Sequence, residues 1–177
     1  MRLLAALALT ALPFATFAAG SDDTEPPTPT ATTTECVEGQ VWDEKTKACI
    51  VPEDAMLDDD QRFDAVRELA YAGRTDDALR VLAAMTEGDT DRVLTYTGFL
   101  NRQAGNWEAG LAAYDRALTQ NPDNILARSY FGQALVMMNE IELASLQLDE
   151  IRARGGAGTW ADTALATAIT TGQTATY

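Results

Sequence analysis

The sequence predicts an all-α fold in which about three helix hairpins are closed by a C-terminal helix and preceded by a small disulfide-stapled knob. Similar stretches begin at Gly73, Gly105 and Asn139, 32 and 34 residues apart, and this period is typical of helical repeats. Apolar residues recur at helical spacing between these points. Because one hairpin cannot bury its own apolar face, the hairpins must stack. We therefore expect a surface that holds a partner rather than a pocket for chemistry.

Residues 1–20 have the layout of a secretory signal peptide. Arg2 supplies a positive charge, residues 3–12 are apolar, and small residues follow up to Gly20. A transmembrane anchor is the competing interpretation, but Pro13 interrupts the apolar stretch and an acidic segment follows it. We expect export to the periplasm, with secretion as the alternative. Elsewhere no apolar run reaches 18 residues, so we expect no direct membrane insertion after signal cleavage.

Residues 21–35 are predicted to be a disordered tether. The segment is rich in proline and threonine and contains no aliphatic residue larger than alanine. Such a composition buries too little apolar surface to offset the entropy lost on ordering.

Residues 36–52 are predicted to form the knob, closed by a disulfide between Cys36 and Cys49. These are the only two cysteines of the chain, and an exported context favours their pairing. Closing a loop of this length contributes about 3 kcal/mol by the loop-entropy estimate. The pattern of cysteines, glycine and Trp42 resembles half of a chitin-binding module. Glycan recognition through the knob is therefore an alternative function.

Residues 57–172 are predicted to be the helical domain, followed by a tail at 173–177. The expected helices of the first hairpin cover residues 60–72 and 76–85, with acidic residues from Asp58 onward at the positive end of the first helix dipole. The second unit covers residues 91–121 and turns at Gly105. The third ends at Gly155, and a capping helix covers residues 160–171. We expect Gly98 and Gly132 to let the two helices of a hairpin approach closely.

The repeats resemble the tetratricopeptide repeat family over about residues 59–156. This resemblance implies a right-handed superhelix of paired antiparallel helices. In the first unit Val66 stands at the position of the packing glycine, and in the third Asn139 replaces the turn glycine. The matching residues of the middle unit are Leu94, Gly98, Trp107, Tyr114, Ala117 and Pro122, and those of the third are Gly132, Ala144, Leu148 and Ile151.

The resemblance also implies a concave groove formed by the first helix of each hairpin. Its mixed aromatic, arginine and methionine surface suits an extended peptide or helix with acidic groups. The alternative is that Phe63, Phe99 and Met137 belong partly to the core. The groove-lining residues implied by the resemblance are Phe63, Arg67, Tyr71, Thr95, Phe99, Arg102, Ser129, Gln133 and Met137.

Composition excludes several classes of function. The chain has no histidine and no glycine-rich phosphate loop, so we expect no catalytic site, no metal site and no cofactor. A net charge of −14 disfavours nucleic acid and anionic membrane surfaces as partners. We expect an exported adaptor that binds a protein or peptide in the cell envelope. Self-association into a homo-oligomer through the repeat edge remains an open alternative.

Overall fold

The structure is a computed structural model that describes residues 25–174. Residues 1–24 and 175–177 lie outside the described residues, and with them the predicted signal peptide, the start of the tether and the end of the tail. The described part contains eight helices and one two-stranded sheet. In chain order these elements are α1 (Ala31–Thr34), β1 (Val41–Asp43), β2 (Ala48–Ile50), α2 (Asp59–Tyr71), α3 (Thr75–Ala83), α4 (Asp91–Gln103), α5 (Trp107–Gln120), α6 (Ile125–Met137), α7 (Ile141–Ala153) and α8 (Trp160–Thr171).

Helices α2 to α8 form the predicted stack of hairpins. The pairs are α2 with α3, α4 with α5, and α6 with α7. Helix α4 contacts both α2 and α6, while α8 packs against α6 and α7. The first helices of the hairpins thus lie side by side, and α8 covers the end of the stack. The predicted all-α class with three hairpins and a capping helix is confirmed.

The repeat signal in the sequence corresponds to the turn inside each hairpin. Gly73, Gly105 and Asn139 follow the first helix of their hairpins with φ of 72°, 82° and 63°. This left-handed conformation is open to glycine and, among other residues, to asparagine more readily than most. Asn139 therefore performs in the third hairpin the local function that glycine performs in the other two.

Side-chain caps begin four of the seven stacked helices α2 to α8. Asp58 accepts a hydrogen bond from Gln61 N in a capping box at the start of α2, as expected of acidic residues there. Thr90, Asn124 and Thr159 accept from the backbone at the start of α4, α6 and α8. Each cap satisfies a backbone amide that the helix itself leaves without a partner.

Asp59 fastens the loop after α3 to the start of α2. Its Oδ2 atom accepts from Thr86 N at 2.8 Å, Thr86 Oγ1 at 2.9 Å and Glu87 N at 2.7 Å, and its Oδ1 pairs with Arg62 Nη1 at 2.9 Å. Burial opposes ionisation of the carboxyl, but the donors from Thr86, Arg62 and Glu87 outweigh it and lower the pKa of Asp59 below its usual value.

The two packing glycines contact different neighbours. A Cβ atom at Gly98 would lie 2.5 Å from Cε1 of Tyr114, across the α4–α5 hairpin as expected. A Cβ atom at Gly132 would lie 2.5 Å from Cδ2 of Leu165 in α8. The closest approach at Gly132 is therefore to the capping helix and not to the partner helix of its own hairpin, which corrects the prediction.

The knob is a hairpin closed by the Cys36–Cys49 disulfide. Strands β1 and β2 are antiparallel, with Trp42 opposite Cys49. Val41 and Leu57 are each 3% exposed and belong to the same hydrophobic core as Phe63 of α2. The knob therefore packs on the first hairpin and is not a separate body.

The described part of the predicted tether is ordered. Residues 25–35, here called the strap, contain α1 and are bonded to α2 through Thr30 and Thr33, which donate to the Glu68 carboxylate. This differs from the expected disorder of residues 21–35. The composition predicted that the strap buries little apolar surface, and this is correct. The hydrogen-bond partners that order the strap lie on α2, 35 or more positions away in the sequence, so the composition of the strap could not indicate them.

We predict that Gly98→Ala lowers the free energy of unfolding by about 2 kcal/mol. Tyr114 is fully buried and cannot move away from the added methyl group, so overpacking outweighs the gain of about 1 kcal/mol in helix propensity. Urea denaturation measures this change. In a Tyr114→Leu background the same substitution should instead be neutral or stabilising, and an equal loss in both backgrounds would contradict the packing described.

We predict that the double substitution Cys36→Ser/Cys49→Ser lowers the free energy of unfolding by about 3 kcal/mol, because the open loop regains entropy in the unfolded chain. Denaturant titration of the oxidised protein and the variant tests this. Reduction of the wild-type protein should reproduce the loss, while the variant should not respond to reductant.

We predict that stability falls in acid partly through Asp59. Because the folded-state pKa of Asp59 is lowered, its contribution is present above the ordinary value of 3.8 and is lost as pH falls through the folded pKa. Urea unfolding at pH 7 and pH 3 should show a smaller loss for Asp59→Asn than for the wild type. Asp76→Asn, at an exposed site in the first turn of α3, is the matched control and should behave as wild type.

Candidate functional site

A row of four aromatic rings runs along the side of the stack formed by α2, α4, α6 and α8, here called the inner face. Two of the rings are fully buried and two are half-buried. Each helix supplies one ring. The ring centroids are 6.3 Å apart for Tyr71 and Phe99, 4.7 Å for Phe99 and Tyr130, and 5.9 Å for Tyr130 and Trp160. These distances are those of favourable aromatic pairs.

The first and last helices of the inner face also touch each other. The centroids of Tyr71 and Trp160 are 6.2 Å apart, and the hydroxyl groups of Tyr71 and Tyr130 are hydrogen-bonded at 2.7 Å. The array thus curves tightly enough to bring α2 against α6 and α8. The inner face is narrow at this point.

A second aromatic group fills the space between α2, α4 and α6. The Phe63 ring meets Tyr96 edge-on at 5.3 Å, and the Arg92 guanidinium lies 4.8 Å from the Phe63 centroid. Tyr96 in turn contacts Tyr130 at 6.1 Å. Burial raises the pKa of the Tyr96 hydroxyl. Phe63, at 3% exposed, is therefore part of the contact between repeats.

The polar residues predicted for the groove are buried between helices. Thr95 Oγ1 donates to the Asp91 carbonyl at 2.7 Å and accepts from Asn124 Nδ2 at 3.2 Å, which joins α4 to the start of α6. Gln133 Nε2 donates to Ser129 Oγ at 3.2 Å within α6. These bonds satisfy polar groups inside the stack.

Arg102 and Met137 form the end of the inner face. The Arg102 guanidinium lies 5.3 Å from the Phe99 centroid, and its Nη1 atom is 3.2 Å from the Met137 sulfur. Met137 is 51% exposed, whereas Arg102 is buried between these neighbours. Together with Trp160, Tyr71 and Phe99 they form a run of contacting side chains, here called the inner strip, in which Phe99 and Arg102 are buried.

Arg67 connects the inner face to the strap. Its Nη2 atom donates to the Glu25 carbonyl at 2.8 Å, and its Nη1 atom lies 3.9 Å from Asp64 Oδ1. Arg67 is one helical turn before Tyr71 on α2. The start of the described chain therefore lies beside the aromatic row.

The structure places all nine predicted groove residues on α2, α4 and α6, but most of them are inside the stack. Tyr71 is half-buried and Met137 is exposed. The sequence-based list omitted Trp160 and Tyr130, although Tyr96 and Tyr130 are 34 positions apart, one repeat period, and this spacing was a usable signal. The buried members of the list are Phe63, Arg67, Thr95, Phe99, Arg102, Ser129 and Gln133.

An open groove of about 400 Å³ lies beside the inner strip on α8. It is lined by Trp160 and by hydroxyl groups that include Thr163, Thr167 and Thr174. Thr174 Oγ1 lies 3.9 Å from the Met137 sulfur, so the groove and the inner strip meet at Met137.

Residues 25–174 contain no group of histidine, cysteine and carboxylate side chains arranged to hold a metal ion. In the same part of the chain, no helix combines the length and the apolar character needed to cross a membrane.

The stacked antiparallel hairpins define an α-helical repeat protein of the kind that serves as a protein-interaction scaffold. Residues 101–165, from within α4 to within α8, match the family model described as tetratricopeptide repeat. The match supports tetratricopeptide repeats in this part of the chain. No curated protein and no solved structure matches it at a significant level.

Proposed function

We propose that the protein is an exported scaffold that binds an extended segment of a partner protein in the cell envelope, at the inner strip. The observation that carries this proposal is that half-buried Trp160 and Tyr71 are linked through the buried side chains of Phe99 and Arg102 to exposed Met137. Partly exposed aromatic and methionine side chains are the surface from which partner recognition gains most.

The chemistry of the inner strip favours a segment with apolar side chains and one acidic group. Trp160 and Tyr71 offer ring faces and edges to apolar side chains. Arg102 offers a fixed guanidinium, which suits a carboxylate. Because the flexible Met137 side chain covers Arg102, a partner carboxylate would reach it by moving Met137 aside.

Export is supported by the N-terminal sequence and by the cysteines. Residues 1–20 have the composition of a signal peptide, and the only two cysteines form a disulfide, which persists in oxidising compartments such as the periplasm. Repeats of this family are typically non-catalytic, and we propose a binding function without enzymatic activity.

Glycan binding by the knob is the competing function, and Trp42 is the residue that would carry it. Trp42 is half-buried, and its indole N–H donates to Glu44 Oε1 at 3.0 Å. The inner strip offers three partly exposed large side chains, Trp160, Tyr71 and Met137, where the knob offers a single ring, so we favour the protein partner.

We predict that Met137→Glu reduces partner binding at least tenfold, because the new carboxylate pairs with Arg102 and repels an acidic partner group. The protein is expressed from its full precursor with a C-terminal tag and crosslinked in intact cells. The captured partner is then titrated against the purified protein. Met137 is exposed, so this substitution should not unfold the chain.

Met138→Glu is the matched control, because Met138 is 46% exposed and adjacent. This substitution adds the same charge one position further along the chain, and the variant should bind the partner as tightly as the wild type does. If the two substitutions weaken partner binding equally, or if neither weakens it, the inner strip is excluded as the partner-binding site. Retention on purified peptidoglycan that is lost in Trp42→Ala would instead favour the glycan function.

A further inference from the structure

The strap is bound to α2 through one buried carboxylate. Glu68 is 6% exposed. Its two oxygens accept from Thr30 N at 2.6 Å, Thr30 Oγ1 at 2.7 Å, Thr33 N at 3.1 Å and Thr33 Oγ1 at 2.6 Å. Both amide and hydroxyl groups of a Thr-x-x-Thr segment are thus recognised by a single side chain, and each bond is strengthened by the charge of its acceptor.

The other end of the strap is held by a guanidinium. Arg74 Nη1 donates to the carbonyl of Cys36 at 2.9 Å and lies within 3.4 Å of the carbonyls of Thr32 and Thr33. Its Nη2 atom is fixed by Asp77 Oδ2 at 2.6 Å. Glu68 and Arg74 therefore bind amide groups at the start of α1 and carbonyl groups at its end, as a site for a peptide would.

The arginines of the first hairpin all bind main-chain carbonyls of the preceding segment. Arg67 donates to Glu25 and Arg74 to Cys36, while Arg80 donates to Glu38 at 3.1 Å and Arg62 to Pro52 at 2.7 Å. The sequence-based expectation for these arginines concerned only Arg67, which was predicted to line a groove for a partner with acidic groups. The structure shows them binding the chain's own backbone.

The strap adds almost nothing to the hydrophobic core. Thr32 is its one buried residue, and the side chains around it are small or polar. Docking therefore depends on hydrogen bonds, whose net contribution is small because water replaces them on release. The hairpins are held together by buried aromatic and aliphatic side chains instead. The strap can consequently open at a free energy well below that of global unfolding.

We propose that the strap is a cis-bound peptide that leaves and rejoins α2 as a unit while the hairpins stay folded. Its release opens a peptide-binding edge, formed by Glu68 and Arg74, that fits a Thr-x-x-Thr segment. Because Arg67 binds Glu25 one turn from Tyr71, the docked strap ends beside the inner strip and obstructs a partner that approaches Tyr71. This last consequence rests on the proposed function; the opening of the strap does not.

Hydrogen exchange of the oxidised full chain tests the opening without any partner. We expect amides 30–36 to exchange faster than those of α4, at a rate that low urea concentrations leave almost unchanged. Glu68→Gln should speed exchange of these amides about tenfold or more, because the neutral amide is a weaker acceptor and has only one oxygen. Exchange in α4 should not change.

Thr34→Ala is the matched control, because Thr34 Oγ1 bonds only within the strap, to the Thr30 carbonyl. It should leave exchange as in the wild type. Exchange of amides 30–36 at the α4 rate, with the same urea dependence, would overturn the proposal by showing that the strap opens only on global unfolding.

A synthetic peptide of residues 25–35 tests the edge as a binding site. Fluorescence anisotropy should show the labelled peptide binding to full-chain Thr30→Ala/Thr33→Ala, whose own strap is weakened. A peptide carrying the same two substitutions should not bind. The wild-type chain should bind at least tenfold more weakly, because its strap competes at a millimolar effective concentration. Equal binding to both chains, or no binding at millimolar peptide, would overturn the peptide site.

Discussion

Contact between aromatic side chains one repeat apart is the interaction on which the rest of the structure depends. Tyr96 and Tyr130 occupy equivalent positions in α4 and α6, and their rings meet at 6.1 Å. Phe99 joins both rings, and Tyr71 and Trp160 extend the cluster to α2 and α8. Each ring fills the space that a neighbouring hairpin leaves open. The small residues Gly98 and Gly132 serve other contacts, because they let α4 and α6 approach Tyr114 and Leu165 closely.

This packing limits where a partner can bind. Most side chains that face the inner side of the array are used to hold one helix to the next. A partner that binds this side of the array would contact the edge of the cluster, where Trp160 and Tyr71 are half-buried and Met137 is exposed. The N-terminal edge of the first hairpin is covered by the strap and the knob. The chain thus presents a smaller free surface than three open repeats would.

Structural features that depend on neighbouring residues could be predicted from the sequence, whereas contacts between distant residues could not. The turns at Gly73 and Asn139 were predictable because a left-handed residue must end each first helix. The disulfide was predictable because the two cysteines have no other partner of their kind. The family match over residues 101–165 agrees with the best-conforming repeats. Burial of Phe63 was one of two interpretations left open and burial of Thr95 was not predicted, since the same helical position lines a groove or an interface depending on how tightly the array curves.

The order of the strap is a second feature that the sequence could not predict. Its composition correctly indicated that it lacks a core, yet Glu68 and Arg74 supply polar partners from 35 to 42 positions away. Gly132 is a similar case, because its closest neighbour, Leu165, belongs to the capping helix and not to its own hairpin. The pattern of apolar and small residues within one repeat gives no information about contacts that join distant parts of the chain.

The meeting of Tyr71 with Trp160 has a consequence for how this array unfolds. Most repeat arrays behave as one-dimensional chains, in which each unit interacts only with its neighbours and the ends can fray independently. Here the hydroxyl bond from Tyr71 spans 59 positions, and the contact with Trp160 spans the whole stack. Loss of α8 at one end therefore removes support from α2 at the other. The hairpins are coupled as members of a closed loop, so the domain should melt as one cooperative unit. The long-range contacts that close the loop should make it fold more slowly than a linear array of equal length.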